Sequence, residues 1–352
     1  METIRAIEIG YGSLSFTQTV IDNVPSIKTF ASVVSAVSND DLSGGLAKRD
    51  TVRVEVGKAV YEVGPDAYLL SDRSSSRVLN NTFIETDQYQ ALFKGALFMM
   101  DVTSIDLLVL SLPVNNMLRS DALKQQAIGE HVINGKKVNV KNVWVLCQPL
   151  AGYLSYANQI GQKGFDELKE QNVLSLDFGF STADWLVSRG LKINDKRSNA
   201  VSMGMSAILE EVSKSLKSAF PHLDTIPLNL IDEAFWKHPG TIKISGRSYP
   251  FPACDGVDSY GKETRIKFDV SSDINKVVVS CLQNVRNSVG AGAEISKIIV
   301  MGGSHEVYLP EVKRSFPEHE IVIVDRPMTA VCEGMFYGGV QYMAAIKRQR
   351  AA

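Results

Sequence analysis

Cysteine is scarce. The 352 residues hold four, Cys147, Cys254, Cys281 and Cys332, far apart and with no Cys-x-x-Cys pair. That spacing builds neither a zinc site nor a disulfide framework. Cys147 and Cys332 have apolar neighbours in sequence and read as core residues of a protein kept reduced. The five histidines, His131, His222, His238, His305 and His319, are scattered without partner motifs, so histidine-centred catalysis is not expected. An excess of one charge is also missing: 37 Lys and Arg stand against 39 Asp and Glu, a net charge of −2. Neutralising phosphates along nucleic acid takes concentrated Lys and Arg, so direct binding of DNA or RNA is not expected. The one basic run, Lys347-Arg348-Gln349-Arg350, reads as a solvated end. No apolar run approaches the ~20 residues needed to span a bilayer. Met1-Glu2-Thr3-Ile4-Arg5 has neither the basic stretch nor the apolar run of a signal peptide. These absences point to a soluble, cytoplasmic protein without membrane contact. What is present is 45% hydrophobic content, enough at this length for two cores.

An internal repeat organises the chain. Ala6-Ile7-Glu8-Ile9-Gly10-Tyr11-Gly12-Ser13 reads as a buried strand entering a glycine turn, and Ser175-Leu176-Asp177-Phe178-Gly179-Phe180-Ser181-Thr182 repeats the order of chemistry. Apolar patterns resume at Phe16 to Val20 and at Ala183 to Val187, as β-hairpins require. Glu8 and Asp177 are 169 positions apart. A second matching pair follows. Val143 to Cys147 leads into Gln148-Pro149-Leu150-Ala151-Gly152, and Ile321 to Val324 leads into Arg326-Pro327-Met328-Thr329-Ala330, each read as a strand running into a helix with proline in its first turn. The prolines lie 178 positions apart. Two markers agreeing on one repeat length indicate a duplicated α/β unit. Asp106 to Pro113 and Ile298 to Gly303 read as paired buried strands. Helical periodicity runs from Asp87 to Met100 and from Met203 to Phe220, with Ile208, Leu209, Val212 and Leu216 on one face. The stretches Asn39 to Asp50 and Pro250 to Lys262 read as surface loops.

The two hairpins carry the chemistry. A carboxylate at a strand end, beside a glycine-rich turn, sits next to backbone N–H groups that can cradle phosphate oxygens, while the carboxylate holds a hydrated cation. One such turn would be an ordinary solvated β-turn. Two facing one cleft make a phosphate clamp. Phe235 and Trp236 read as core or lobe packing rather than a binding platform.

In these motifs the sequence resembles the actin, Hsp70 and sugar-kinase superfamily, and within it the plasmid-segregation actins of the ParM/StbA type. The branch that includes protein D of the PRTRC system is the nearest in likeness. The resemblance spans nearly the whole chain, with Thr86 to Leu92 and Leu110 to Val114 similar to the ParM branch. It implies an actin-like two-lobed α/β fold of duplicated ribonuclease H-like domains. The first lobe would take residues 1–165 with a C-terminal helix 326–352, and the second 166–325. It further implies ATP (or GTP) with Mg2+ in the cleft, the metal being held by Glu8 and Asp177 through water. Gln148 would orient the attacking water, as amide side chains do in other phosphoryl-transfer sites. Phosphate contacts would come from Gly10, Tyr11, Gly12, Ser13, Leu14 and Ser15, and from Gly179, Phe180, Ser181 and Thr182. Gly302, Gly303 and Ser304 would pass beside the nucleoside, and Gly204, Glu210 and Lys214 would supply a ribose- and adenine-contacting helix. Two positions depart from the family pattern. Glu8 replaces the usual Asp, and Ser15 stands near where a phosphate-contacting lysine is often found.

The function implied is a nucleotide-driven filament for plasmid DNA segregation, with ATP hydrolysis destabilising the polymer and a separate adaptor protein holding the DNA. The alternatives are a non-filamentous ATPase switch and a small-molecule kinase of the same fold. Little sequence follows Pro327, so a chaperone-type peptide-binding domain is not expected.

Overall fold

The computed structural model describes residues 2–37, 48–70 and 82–351. In the first half, β1 (Ile4–Ile9), β2 (Ser13–Ile21) and β3 (Val24–Ala31) form an antiparallel meander. A small sheet follows, of β4 (Val34–Ala36), β5 (Val52–Val56) and β6 (Ala59–Val63), and then helix α1 (Asp87–Met99). Next come β7 (Ser104–Ile105), β8 (Leu107–Leu112), a 3-10 turn over Val114–Arg119, and α2 (Ser120–Ala127). The ribbon β9 (Gly129–Ile133) and β10 (Lys136–Val140) pairs with β7, and β11 (Val143–Cys147) runs into α3 (Gln148–Leu168), which is interrupted at Gly161. The main sheet has the order β11-β8-β1-β2-β3, with β8 and β11 parallel to β1.

The second half repeats the plan. β12 (Asn172–Phe178), β13 (Ala183–Arg189) and β14 (Lys192–Ile193) are the meander, with β15 (Asn199–Val201) also on β13. Then follow α4 (Met205–Ala219), α5 (Leu228–Trp236), the ribbons β16 (Thr241–Ile244) with β17 (Arg247–Pro250) and β18 (Ala253–Val257) with β19 (Glu263–Asp269), and α6 (Ser271–Val289). β20 (Lys297–Met301), α7 (His305–Ser315), β21 (Glu320–Ile323) and α8 (Ala330–Ala351) complete the described chain. The sheet order, β14-β13-β12-β20-β21, and every strand direction match the first sheet. The duplication read from Glu8 and Asp177 is thus a duplication of topology.

Side-chain alternation explains the layering. Along β8, Leu108, Leu110 and Leu112 enter an outer core with α1, while Leu107 and Val109 face the molecular centre. Along β20, Ile298 and Val300 pack outward with α4, α6 and α7, while Ile299 and Met301 face the same centre. A strand apolar on both faces must be covered on both. Between the sheets lie α3 and α8, which cross closely because glycines line the crossing: a Cβ on Gly334 would sit 1.7 Å from the Ala151 carbonyl oxygen. Each helix covers mainly the sheet of the other half. α8 lies on β1 and β8, whereas Gly152 of α3 abuts Met301 of β20.

Two readings change. Pro250 to Lys262 is not a loop through its length. Ala253 to Val257 forms a strand with alternating burial whose Cys254 faces the core, and its Pro, Asp and Gly residues masked that period. The second proline does not open a helix: Arg326 (φ 49°) to Thr329 form a turn, and α8 starts at Ala330. Of the loop read at Asn39 to Asp50, residues 39–47 lie outside the described residues. The helices expected over Asp87–Met100 and Met203–Phe220 are α1 and α4. All four cysteines are buried and free. Among the described residues no helix is long and apolar enough to cross a membrane.

Candidate functional site

The two hairpin turns are closed alike. Gly10 N–H donates to the Ser13 carbonyl at 2.9 Å, and Gly179 N–H donates to the Thr182 carbonyl at 2.9 Å. Both turns are anchored through carbonyls. Ser32 donates from Oγ to Gly10 O (2.6 Å) and from its N–H to Gly12 O (3.0 Å). In the second turn, Gly204, Met205 and Ser206 N–H groups, which open α4, donate to the carbonyls of Ser181, Gly179 and Phe180. Ser304 Oγ adds a bond to Phe178 O at 2.9 Å. Turns fixed by their carbonyl side can offer an anion the opposite, amide side.

A cleft of about 1070 Å3, counted out to its open mouth, runs between the halves. Its walls bring together Glu8, Gly10, Tyr11, Gly12, Ser13, Gln148, Asp177, Gly179, Phe180, Ser181, Thr182, Gly302, Gly303 and Ser304. Gly302 needs its φ of +93°, and its backbone passes so near that a Cβ would meet the Phe178 carbonyl at 2.3 Å and Asp177 Oδ1 at 2.6 Å. No other residue fits both demands.

Five expected residues do not line the cleft. Leu14 is core, and Ser15, buried in β2, accepts a bond from Thr29 Oγ1 at 3.0 Å. Gly204 buttresses the second turn: a Cβ there would lie 2.7 Å from the carbonyl oxygens of Gly179 and Phe180. Glu210 is exposed, and Lys214 pairs with Glu211 at 2.7 Å. The reason is axial rise. α4 leaves the turn from its N-terminus, and six residues carry Glu210 about 9 Å away, so only Met205 of that helix faces the cleft.

Sequence reasoning missed the end of α5. Asp232, Phe235 and Trp236 line the cleft, with Trp236 62% exposed, so Trp236 is not core packing. The available signal was their spacing at i, i+3 and i+4, which puts all three on one helical face. Glu306 and Val331 were missed as well, and Pro327 and Met328, read as part of the second strand-to-helix connection, also line the cleft.

Carboxylates dominate the electrostatics. Burial, and secondarily the charge of Asp177, push the Glu8 carboxyl up to about 8, against the lowering effect of the Cys332 N–H. Burial and then Asp184 raise Asp177 to about 7. Asp184, also raised by burial, to about 6, accepts bonds from Thr182 and from Val114 N–H, the latter at 2.7 Å from the opposite half. Glu8 Oε2 is buried with no hydrogen-bond partner. No Lys, Arg or His is among the described residues that line the cleft. The set fits a hydrated divalent cation: Mg2+ takes one or two carboxylates and keeps waters for the remainder. Among the described residues, no three His, Cys, Asp or Glu side chains form a cage that would replace those waters.

Gln148 opens α3 and is buried, lining both the cleft and a smaller cavity shared with Tyr11, Ser111 and Asn116. Tyr11 stacks on Phe83 at 4.9 Å.

Residues 6–150 match the family of actin-like proteins, N-terminal domain. The fold is actin-like. An archaeal actin homologue in complex with ADP superposes with a TM-score of 0.73 at 13% identity, covering 96% of this chain and 99% of its own. A ParM filament structure from Clostridium botulinum gives 0.72 at 19% identity, with 97% and 100% covered. Actin-like protein Alp7A gives 0.60 at 16%, covering 99% of each. No curated protein sequence matches the chain. The cleft therefore lies between the two lobes of an actin-like fold.

Proposed function

We propose that this protein binds a nucleoside triphosphate, ATP or GTP, with Mg2+ between its lobes, hydrolyses it slowly, and assembles into filaments that segregate plasmid DNA through an adaptor protein. The observation that carries the reading is the convergence of two identically closed turns, Gly10–Ser13 and Gly179–Thr182, on one cleft with Gln148 and the Gly302-Gly303 turn. The ADP complex of the archaeal actin homologue and the ParM filament among structures of similar fold support it. Glu8 and Asp177 would hold the cation through water, and the cation would offset phosphate charge that no lysine among the described cleft residues can. Turn amides bind the phosphate oxygens. Gln148 orients water toward the terminal phosphate through its amide without removing a proton. Lobe closure aligns surfaces for head-to-tail contact, since a heterologous, non-closing contact generates a filament.

Calorimetry with Mg·ATP and Mg·GTP tests binding, and sedimentation with ATP, ADP and a hydrolysis-resistant analogue tests assembly. Polymers that form with triphosphate and dissolve below a critical concentration are expected. A protein that binds nucleotide yet stays monomeric at tens of micromolar, even with its adaptor, is the non-filamentous switch.

A further inference from the structure

We infer that Trp236 is the platform on which the base of the bound nucleotide stacks, and that this platform accepts adenine and guanine alike. The inference rests on the nucleotide reading above. α5 is anchored to the second-lobe core: Ile231 and Ala234 are buried there, and Phe235, at the edge between core and cleft, meets Phe251 edge-on at 5.2 Å. The next side chain, Trp236, is thus held at the cleft wall by its neighbours rather than by packing of its own. The other two tryptophans are covered. Trp185 is 2% exposed, and Trp144 stacks on Tyr342 at 4.7 Å.

A large flat apolar ring left in water at a cleft wall is a surface awaiting a flat partner. A ligand whose phosphates lie on the two turns presents its base to the remaining walls, and the indole is the largest planar group there. The cleft lining also holds two further carboxylates, Asp232 one turn back on α5 and Glu306 on α7. Carboxylates only accept hydrogen bonds. Adenine offers them its exocyclic amine, and guanine its ring N–H and exocyclic amine. Stacking is indifferent to base identity because every base has a π-face, and removing one aromatic platform loosens a base by roughly 5- to 150-fold in affinity.

The test follows intrinsic fluorescence and calorimetry in parent, Trp236→Phe and Trp236→Ala proteins, with Mg·ATP, Mg·GTP and inorganic tripolyphosphate. Both nucleotides should quench the parent, and tripolyphosphate should not. Trp236→Ala should weaken ATP and GTP by about 5- to 150-fold and leave tripolyphosphate affinity unchanged, while Trp236→Phe keeps most of the nucleotide affinity. Since Trp236 is mostly solvent-exposed, its truncation leaves the core intact. Unchanged nucleotide affinity in Trp236→Ala overturns the platform alone. A parent preference for one purine beyond about a hundredfold (~2.7 kcal/mol) overturns its indifference. A parent that binds neither nucleotide removes the nucleotide reading and this inference together.

Discussion

Gly12 and Phe180 meet across the cleft with no space between them: a Cβ on Gly12 would lie 2.4 Å from Phe180 Cβ and 2.9 Å from its Cγ. The contact joins the two turns, one from each lobe, so their separation is set by a missing methyl group and a phenyl ring.

Gly12→Ala should push the turns apart and weaken Mg·nucleotide binding at least tenfold, since displacements of about 1 Å matter in a positioned site. Phe180→Gly on that background removes the Cβ that the new methyl meets and should restore much of the loss. A double-mutant cycle by calorimetry measures the coupling, and additive effects would show that the two residues do not set the spacing.

Gln148→Ala should slow hydrolysis by about ten- to a thousandfold, the range of a single positioning contribution, with little change in affinity. Phosphate-release assays beside calorimetry separate these. Equal loss of both would assign Gln148 to the start of α3.

Glu8, Asp177 and Asp184 all have folded-state values above their ordinary ones, at about 8, 7 and 6. Without cation, the folded state therefore binds more protons than the unfolded chain between pH ~4 and ~8, and stability falls as pH rises through that window. Thermal melts without Mg2+ should show Tm decreasing from pH 5 to pH 8.5. Asp177→Asn, which removes one buried charge, should flatten the slope and raise Tm at pH 8 while abolishing the Mg2+ dependence of nucleotide binding. A Tm rising over that range would contradict the assignment.

Gly334→Ala should destabilise the fold by about 1–3 kcal/mol or more, because it overpacks backbone against backbone. Gly338→Ala should cost less, as its nearest obstacle is the end of the Leu154 side chain at 2.7 Å. Denaturant midpoints at constant m-value compare them.

The fold was largely legible because duplication writes the same chemistry twice. Glu8 with Asp177, and Pro149 with Pro327, located strands and turns on which everything else hangs. Residues in the turns themselves were legible for the same reason. What failed was direction. Periodicity showed that α4 is a helix, yet not that it leaves the turn and takes Glu210 and Lys214 off the cleft lining. Ser15 was placed by counting along the turn, whereas strand alternation turns it toward Thr29. Trp236 was misjudged because an aromatic in an apolar helix ordinarily faces the core, and only the placement of α5 puts it at the cleft.

The exchange of helices between the lobes constrains how the chain acquires its structure. The Cys332 Sγ of α8 lies 4.0 Å from the Ala6 carbonyl, 326 positions away in sequence. During synthesis the inner face of the first sheet is therefore without α8 until the second lobe has been made, and α3 emerges before the strands it covers. The halves are not independent folding units, despite their matching topology. Contacts of such separation close slowly and leave apolar sheet surface open meanwhile, so the first sheet gains its native cover only after α8 has been made.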